Sequence, residues 1–540
     1  MLLETFGIFQ TTAIIIAGYC IAVSIYRLTL HPLAKYPGPL LARVSGWPDA
    51  ISAIKGRRHI DHYQLHCKYG SDVVRYAPNC LSFNTVKALN DIYGNRNANL
   101  VKSGWTAASE YINQPANLHT YSDKQQHAQR KKLLAHAFSE SALRTAEEFM
   151  LEKIRAWCGY LDQEGNHEVD RLGWSEAKDM GHWSNLLTLD ILGELCFGAS
   201  FGGMEAGDHN VLDMVIFSAR LIQMIAYLPI KLLIWPILRS PRLLSAISAE
   251  TSKRRWALRL KMRELIEKRY QMELQTEKEG TTTRKDFFHH LLRAHDPETD
   301  ARIEPTELVG EAVLLVGAGS DTSSTAIASC LFYLIRNPEA LKKLGQEVRG
   351  GFCDVEEIRS GSKLSSLLYL RSCVNEAMRM TPPVPGVLSR KILPGGAVID
   401  GHQLNAGTIV GVPIYAIHHQ ERYFPDSFSF LPERWILGSK TPLFDVTDES
   451  LALGRSAFCP FSLGSRQCIG KNMAYMELLV SIARLIWLFD LRFSRTAVTG
   501  GGDPKLVEAG RDRTNEFQLH DWLVSAKKGP FVEFRKRPTI

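Results

Sequence analysis

The chain lacks the signatures of several classes of protein. Its ten cysteines show no paired spacing that would indicate a disulfide framework or a zinc site, which favours a reduced, cytosol-facing location. It contains no nucleic-acid-binding motif, no internal repeat, and no Rossmann fingerprint or flavin segment. No linker rich in Gly, Ser or Pro divides its 540 residues. We therefore predict one large domain, although the length alone would suggest about three or four.

Near the N-terminus, one stretch contains no charged side chain. It runs from Phe6 to Tyr26, a span of 21 residues, close to the roughly 20 that cross a bilayer. Glu4 precedes it, whereas Arg27 and Lys35 follow, and this positive flank predicts that the rest of the chain lies on the cytoplasmic side. A cleaved signal peptide is the alternative, but basic residues are lacking before the apolar run and no small-x-small cleavage site stands out.

This pattern divides the chain into three parts. We predict a membrane anchor at 1–30, a stiff proline-rich hinge at 31–40 and the large domain at 41–540. The net charge of +7 is spread along the chain, so it argues only weakly for an anionic membrane surface or an acidic partner.

A short glycine-containing loop holds the most informative cysteine. Cys468 follows Phe461, Gly464 and Arg466 at fixed spacing and directly precedes a helix-like run, Gly470 to Leu488. A helix N-terminus, backbone N–H groups and a nearby arginine all stabilise a thiolate. A thiolate in this position suits an axial ligand to haem iron, where it favours O–O cleavage. A buried structural cysteine is the common alternative.

The spacing Phe-x-x-Gly-x-Arg-x-Cys-x-Gly resembles the haem loop of the cytochrome P450 family. By that resemblance Cys468 is the axial ligand of the iron in haem b (iron protoporphyrin IX), and Gly470 and the other motif residues bind the cofactor. Cys459, the local rival, precedes the loop and lacks this spacing. The resemblance implies a fold that is mainly α with small β-sheets, the cytochrome P450 fold behind an N-terminal transmembrane helix.

Upstream, a long helical pattern from Glu304 to Arg336 contains the sequence Ala-Gly-Ser-Asp-Thr-Ser. Two glycines, Gly317 and Gly319, cost about 1 kcal/mol each relative to alanine, and we interpret them as room for the helix to widen and for a ligand to lie against the backbone. The resembled family has an acid–alcohol pair here, which assigns Thr322 and Asp321 to proton delivery toward dioxygen. Packing by small residues, with Asp321 on a solvated face, is the alternative.

A second resemblance joins two distant motifs. Glu376 and Arg379 lie three residues apart, on one helix face, although Glu-x-x-Arg alone carries no information because surface helices contain it often. Downstream, Pro432–Trp435 matches another element of the family. The resemblance therefore implies a buried structural triad of Glu376, Arg379 and Arg434 beneath the haem, in which arginine binds carboxylate with two N–H groups.

Contacts to the haem propionates are less well defined. By the resemblance, Arg390 reaches a propionate. The family often has Trp-x-x-x-Arg on the helix that here carries His127 and Lys131, with Arg130 adjacent, so which of these residues makes the contact stays open. A surface position for His127 is the alternative. We interpret the neighbouring pair His418–His419 as structural residues of a loop, because nothing supplies the rest of a metal site.

Other segments are predicted from local pattern. Val211 to Ile247 is apolar and interrupted by Pro229 and Pro236; it is either helical core or, by the resemblance, a lid that dips into the membrane and admits substrate. A charged surface helix, a polar loop and a set of short strands are predicted at Lys253–Met272, Thr276–Lys285 and Gly386–Val412.

The resulting hypothesis is a haem-thiolate monooxygenase, a single-pass protein of the endoplasmic reticulum membrane whose domain faces the cytoplasm. It would insert one oxygen atom from O2 into an organic substrate with electrons from NADPH. Because no nucleotide- or flavin-binding segment is found, NADPH-cytochrome P450 reductase is the expected partner. A basic docking face for it is predicted at Arg130, Lys131, Lys132, Arg455 and Lys471, with ordinary solvated charges as the alternative.

The expected substrate is a lipophilic small molecule, because the predicted pocket segments are mostly apolar. Two motifs, Pro382–Gly386 and Tyr423–Asp426, look like those of microsomal enzymes of filamentous fungi, which commonly tailor secondary metabolites. A haem-thiolate isomerase or peroxide-driven enzyme and a non-catalytic haem- or lipid-binding membrane protein are the alternatives. The predicted pocket segments are Trp105–Tyr111, Val211–Trp235, Val313–Ala318 and Val384–Leu388.

Overall fold

The computed structural model of this chain describes residues 2–103, 117–162, 173–206, 210–230, 234, 236–237, 240–247, 249–279, 284–295, 302–303, 305–522 and 524–538. Helices dominate these residues and the sheets are small. The expectation of a mainly α fold with small β-sheets is confirmed.

The α-helices follow one another along most of the chain. Numbered in chain order, they are α1 (Leu2–Ile25), α2 (Leu40–Val44), α3 (Trp47–Ile54), α4 (Arg58–Tyr69), α5 (Val86–Leu89), α6 (Lys124–Leu134), α7 (Glu140–Asp162), α8 (Met180–Phe197), α9 (Gly203–Ala206), α10 (Asn210–Ala226), α11 (Pro241–Ile247), α12 (Ala249–Glu279), α13 (Phe287–Arg293), α14 (Pro305–Arg336), α15 (Pro338–Gly351), α16 (Ser362–Ser365), α17 (Leu368–Met380), α18 (Ile414–His418), α19 (Asp448–Ala457) and α20 (Lys471–Leu488).

The strands form one five-stranded sheet, one three-stranded sheet and two hairpins. They are β1 (Val73–Ala77), β2 (Cys80–Phe83), β3 (Leu100–Lys102), β4 (Lys178–Asp179), β5 (Arg390–Ile392), β6 (Ala397–Ile399), β7 (His402–Leu404), β8 (Ile409–Gly411), β9 (Phe489–Phe493), β10 (Leu519–Trp522), β11 (Val524–Lys527) and β12 (Phe531–Lys536). The larger sheet has the order β1-β2-β8-β5-β3, the smaller β4-β12-β9. The β2–β8 pair is parallel, and the other pairs are antiparallel.

Helix α14 runs through the main hydrophobic core. It begins at Pro305 and ends at Arg336, as the sequence pattern predicts. Proline suits its first turn, because the N–H that proline lacks has no helical partner there, and Asn337 separates it from α15. Helix α14 packs against α8, α17 and α20, so these helices place its middle section at the centre of the molecule.

Local patterns predicted other elements with mixed success. The strands expected within Gly386–Val412 are present as β5 to β8, and the charged helix lies within α12. The polar loop expected at Thr276–Lys285 is wrong in its first part, because α12 continues to Glu279; glutamate, glutamine and lysine favour helix, and no Gly or Pro stops it earlier. The apolar segment after residue 210 contains two separate helices, α10 and α11, which agrees with its predicted interruption by Pro229 and Pro236.

The N-terminal region joins an apolar helix to the domain. Among the described residues, one helical segment, Gln10–Leu30, is long and apolar enough to cross a membrane, and none of it is buried within the protein. The proline-rich segment that follows is held against β1: the Arg75 N–H donates to the Pro37 carbonyl at 2.7 Å, and the Arg75 side chain donates to the Arg27 carbonyl at 2.7 Å. The apolar helix and the segment after it are therefore joined to the rest of the chain by defined hydrogen bonds.

Candidate active site

The loop before α20 is closed on itself around Cys468. The Cys468 N–H donates to the Phe461 carbonyl at 2.9 Å, and the Gln467 N–H donates to the Gly464 carbonyl at 3.1 Å. Gly464 adopts a left-handed φ of 68°, and a Cβ there would overlap the carbonyl oxygen of Tyr93. Glycine is therefore required at this position for two reasons, backbone conformation and close approach.

The Cys468 side chain is exposed at the end of this loop. Helix α20 begins at Lys471 with Gly470 as its N-cap, and the Gly470 N–H is hydrogen-bonded to the sulfur. Desolvation by the surrounding loop raises the pKa of the thiol, while this N–H and the ammonium groups of Lys131 and Lys471 lower it. Desolvation is the largest of these influences and leaves the pKa of the free thiol above its ordinary value, while the Gly470 N–H and the two ammonium groups are donors that would stabilise a thiolate.

Cys459, the rival cysteine, has a different environment. It is buried, and burial raises the pKa of its thiol to about 12. Its backbone N–H donates to Nε2 of His418 at 3.0 Å. A neutral thiol in this position is suited to packing, which agrees with assigning the ligand role to Cys468 rather than to Cys459.

Helix α6 is tied to the cysteine loop by two basic side chains. The Lys131 ammonium donates to the carbonyls of Ser465 and Gln467, both at 2.9 Å. The Arg466 guanidinium donates in the opposite direction, to the Tyr121 carbonyl at 2.7 Å and to the carbonyls of the next two residues. Lys131 therefore supports the loop backbone.

His127, on the same helix, is buried, so a surface position is wrong for it. Burial, and then the charges of Arg466, Lys102, Lys131 and Arg390, lower the pKa of its imidazole to about 3. His127 is consequently neutral at physiological pH and offers one N–H and one acceptor nitrogen.

Lys102 and Arg390, with His127 nearby, form a basic cluster. Sequence analysis identified Arg390 and His127 but missed Lys102. Lys102 and Arg390 are directly opposite each other in the antiparallel β3–β5 pair, and both are buried. No carboxylate of the described residues forms an ion pair with Arg390; its guanidinium donates to the Leu388 and Ser389 carbonyls at 3.1 Å. No local motif marked Lys102, because its partner strand lies far along the chain.

The basic cluster shows whether the residues of this site could bind the propionates of a haem. The Lys102 ammonium donates to the His119 carbonyl, and like charges opposite each other on one face of a sheet repel, so an anion bound beside both side chains would stabilise them. Lys102 and Arg390, with His127 nearby, fit the two carboxylates of haem propionates, and the thiol of Cys468 fits its iron. The residues present therefore suit the cofactor.

Asp321 and Thr322 occupy the middle of α14. Asp321 is buried, so the alternative of a solvated face is wrong. Its Oδ1 lies 3.0 Å from the ammonium of Lys527. Thr322 is half-buried, and its hydroxyl donates to the Ala318 carbonyl at 2.8 Å. The acid therefore has a cationic partner that no sequence motif indicated, 206 residues away.

Gly319 serves helix packing. A Cβ on Gly319 would lie 2.8 Å from Cδ1 of Leu192 on α8, so the absent side chain makes room for that leucine. For Gly319 this contact favours the alternative, packing by a small residue, over room for a ligand.

Helix α14 crosses α20 just beyond the acid–alcohol pair. The Ser323 hydroxyl is hydrogen-bonded to the buried carboxyl of Glu477, which lies on the helix that begins directly after the cysteine loop. This crossing brings the part of α14 that carries Thr322 and the loop that carries Cys468 into the same region.

The predicted triad is present and fully buried. The Glu376 carboxylate accepts two N–H groups of Arg379, both at 2.9 Å, and the Nε–H of Arg434 at 2.9 Å. The Trp435 indole and the Leu431 N–H donate to the same carboxylate at 3.0 and 3.1 Å. Although burial raises it, the pKa of Glu376 lies below its usual range because of both arginines and these hydrogen bonds.

The triad is also hydrogen-bonded to His418, the last residue of α18. The Arg379 guanidinium donates to the His418 carbonyl at 2.8 Å, and Nδ1 of His418 lies 3.1 Å from the Arg379 carbonyl. His418 is thus a structural residue, as expected, but it lies in helix α18 rather than in a loop. Burial lowers the pKa of its imidazole to about 3.

The basic docking face is narrower than predicted. Arg130 is buried and pairs with Glu307 at 2.8 Å, so it is wrongly included. Lys132 and Arg455 are exposed, and Lys471 is half-buried. A surface pocket of about 270 Å³ lies beside the cysteine loop, lined by Lys124, His127, Ala128, Lys131, Lys132, Ala135, Ser465 and Arg466.

The predicted pocket segments are only partly described. The segment Trp105–Tyr111 lies outside the described residues. Within α14, Ala318 is exposed and Val313 is half-buried. The turn at Val384–Leu388 leads into β5, and its Gly386 lies against the buried carboxylate of Asp521 in β10.

Comparisons with known proteins agree with this arrangement. The sequence model of the cytochrome P450 family matches residues 52–499. Among the most similar relatives are cytochrome P450 monooxygenase AKT7 of Alternaria alternata, 37% identical over 525 residues that cover 97% of each chain, and cytochrome P450 monooxygenase fscF of Fusarium equiseti, 36% identical over 527 residues that cover 97% of this chain and 95% of the relative.

The fold has a close match among solved structures. The haem domain of cytochrome P450DA superposes with a TM-score of 0.68, covering 89% of this chain and 93% of that chain, at 17% sequence identity. Identity this low supports the likeness of fold alone.

Proposed function

The chain belongs to the cytochrome P450 family and is a monooxygenase, and from this premise we propose that it oxidises a lipophilic secondary metabolite of a fungus with electrons from NADPH. The observation that carries the proposal is the closed loop that presents the Cys468 sulfur to the Gly470 N–H at the start of α20. The fungal origin of the similar relatives supports the biological setting.

Cys468 would hold the iron, and the basic cluster would hold the propionates. Lys102 and Arg390 supply the positive charges, and neutral His127 supplies an N–H donor. The Lys131 ammonium donates to the Ser465 and Gln467 carbonyls, so we assign Lys131 a role in stabilising the conformation of the loop. When bound, the haem supplies dioxygen activation: one oxygen atom enters the substrate and the other leaves as water, with two electrons and two protons.

Asp321 and Thr322 would deliver the protons. The carboxylate of Asp321 would take up a proton from water, and the Thr322 hydroxyl, one residue further along α14, would pass a proton toward the side on which the cofactor binds. The Thr322 hydroxyl points along the helix to the Ala318 carbonyl, a bond that it can exchange for one to an incoming group. General acid catalysis of this kind contributes about 10²- to 10⁴-fold.

The electrons would come from NADPH-cytochrome P450 reductase. Two exposed basic side chains support docking of an acidic partner: Lys132, which lines the pocket beside the cysteine loop, and Arg455 in α19, the helix that precedes this loop in the chain. The neighbouring pocket of about 270 Å³, with its lysines and Arg466, is large enough to admit acidic side chains of that partner.

A single-pass anchor in the endoplasmic reticulum, with the domain facing the cytoplasm, fits the apolar helix at Gln10–Leu30. Several apolar side chains near the anchor are exposed and would extend the contact with lipid: Leu40, Leu41, Trp47, Ile51 and Ile230. Gly46 lies against Pro229, so this surface includes the end of the proposed lid and would admit substrate from the bilayer.

The decisive experiment is the carbon monoxide difference spectrum of the reduced, membrane-expressed protein. We expect a strongly red-shifted Soret band for the wild type, its loss in Cys468→Ala, and its retention in the matched variant Cys459→Ala. A correctly folded wild type without haem absorbance, or a band that survives in Cys468→Ala, would overturn the proposal.

The same preparation separates the monooxygenase from its rivals. With reductase present, NADPH oxidation that depends on O2 and on an added fungal metabolite extract supports the proposal. Turnover of that extract without reductase would indicate an isomerase or a peroxide-driven enzyme instead.

A further inference from the structure

A lysine of the C-terminal hairpin reaches the proposed proton donor. Lys527 ends β11, and its side chain is 1% exposed. Its ammonium lies 3.0 Å from Oδ1 of Asp321, whose side chain is 4% exposed. A buried, charge-assisted contact of this length is among the stronger hydrogen bonds in a protein.

Every N–H of this ammonium has an acceptor. Besides Asp321, the Lys527 ammonium donates to Oδ1 of Asn185 on α8 at 3.0 Å and to the Ser324 hydroxyl at 2.8 Å. The Ser324 hydroxyl in turn donates to Asn185. Lysine has three donors and no acceptor, so the group is saturated and its position is fixed by three elements, α8, α14 and β11.

Burial and the neighbouring carboxylates act in opposite directions on Lys527. Burial is the larger influence and leaves the pKa of the ammonium below its ordinary value, whereas Asp321 and the more distant Asp179 raise it. Removal of one member of a buried pair leaves an uncompensated charge, which is strongly unfavourable. A buried carboxyl group that loses its cation therefore takes up a proton and becomes neutral.

We propose that Lys527 is a positioning residue for proton delivery, which holds the Asp321 carboxylate ionised and fixed beside Thr322. In this state Asp321 accepts a proton from water and passes one on through the Thr322 hydroxyl, while Lys527 keeps its charge and transfers nothing. The inference rests on the proposed roles of Asp321 and Thr322. It also links the C-terminal hairpin to the chemistry of α14.

The first test reads the protonation of Asp321 directly. In an infrared difference spectrum of Lys527→Met against wild type at neutral pH, we expect a new carbonyl band of a protonated carboxyl group. The band shifts in D2O and disappears in Lys527→Met combined with Asp321→Asn. Lys528→Met, which removes the neighbouring exposed lysine, is the matched control and shows no band.

The second test reads proton supply. The reduced, haem-loaded protein is mixed with O2 and its return to the ferric form is followed by absorbance in H2O and D2O. We expect Lys527→Met to slow this return at least about tenfold, which is less than the effect of removing an acid catalyst altogether. We also expect a larger solvent isotope effect than in wild type. Lys527→Arg, which keeps the charge, restores most of the rate, and Lys528→Met matches wild type.

The outcomes separate this inference from the proposed function. If Asp321→Asn slows the return but Lys527→Met neither slows it nor yields the carboxyl band, Lys527 is only a packing residue and the inference fails. If Asp321→Asn itself has no effect, the proposed role of the acid fails. Should Lys527→Met not retain haem, Lys527→Gln carries both tests, because its amide keeps two N–H donors for Asn185 and Ser324 without the charge.

Discussion

Glu376 and Glu477 are both buried, yet their surroundings shift their pKa values in opposite directions. Burial raises the pKa of Glu376, but the two guanidinium groups beside it and its hydrogen bonds together lower it below the usual range. Glu477 has the Ser323 hydroxyl as its hydrogen-bond partner, and burial raises its pKa to about 8. Burial alone therefore does not decide the direction of the pKa shift of these two residues; the two guanidinium groups beside Glu376 account for the difference between them.

Glu477 gives a pH-dependent prediction. Its carboxyl pKa is about 8 in the folded chain against an ordinary 4.5, so between these values the folded state binds a proton that the unfolded state has lost. Its contribution is therefore fully present below about pH 4.5 and is lost as pH rises toward 8. We expect Glu477→Gln to gain stability relative to wild type as pH rises from 5 to 8, measured by denaturant unfolding at both values.

A suitable control for this effect is Glu449→Gln, because Glu449 is exposed in the first turn of α19. Its unfolding free energy is expected to follow that of wild type at both pH values. Parallel curves for Glu477→Gln and wild type would show that Glu477 is ionised in the folded protein and that the predicted slope has another source.

Sequence analysis located residues whose partners are close along the chain. The cysteine loop could be predicted because its two requirements, a glycine with positive φ and a cysteine before a helix, lie within ten residues of each other. The roles of Lys102 and Lys527 could not be predicted, because their partners are distant in sequence. The β3–β5 pairing brings Lys102 to Arg390, and the contact between β11 and α14 brings Lys527 to Asp321. A buried lysine carries no local mark that distinguishes it from a solvated one.

At the scale of secondary-structure elements, ends were predicted where a residue forces them. Proline and asparagine fixed both ends of α14, whereas α12 has no such signal before residue 280 and continued beyond its predicted end. Gly319 shows a further limit: a glycine that accepts Leu192 of α8 has the same local sequence as one that accepts a ligand. Only the neighbouring helix decides between these roles.

The buried triad joins α17 to the short 3-10 helix Pro432–Trp435 and gives an element-scale prediction. Arg434→Gln leaves the Glu376 carboxylate with one fewer cation in a site that water does not reach. We expect a loss of about 3–5 kcal/mol in the free energy of unfolding, measured by denaturant titration, together with weaker haem retention.

An exposed arginine in the preceding segment provides the comparison. Arg422 pairs with Asp72 at 2.8 Å, and both side chains are largely exposed, so Arg422→Gln is expected to cost only about 0–1 kcal/mol. Equal losses in the two variants would show that Arg434 contributes no more than a surface ion pair.

At the scale of the whole molecule, the anchor and the domain share a boundary that hydrogen bonds define. The Arg27 guanidinium donates to the Val44 carbonyl at 2.5 Å, and Arg43 donates to the Leu28 and Ala34 carbonyls at 3.1 and 2.9 Å. The predicted anchor ends at residue 30, and its last turn is therefore hydrogen-bonded to the domain through Arg27 and Leu28.

This boundary predicts how the anchor is best removed. Deletion of Leu2–Ile25 keeps Arg27, so we expect a protein that alkaline carbonate extracts from membranes, unlike the full chain, with an unchanged carbon monoxide spectrum. Deletion through residue 30 also removes the contacts of Arg27 and Leu28, and we expect lower thermal stability. Equal stability of the two truncated proteins would show that these hydrogen bonds contribute little.

The pairing of segments that are distant in sequence affects the order in which contacts can form while the chain is being synthesised. Strand β2 lies between β1 and the parallel strand β8, and Lys527 comes from the last part of the chain. A ribosome releases the N-terminal apolar helix before these partners, and contacts between residues distant in sequence form late. The nascent chain therefore presents that helix well before it can complete the five-stranded sheet or pair Asp321 with Lys527.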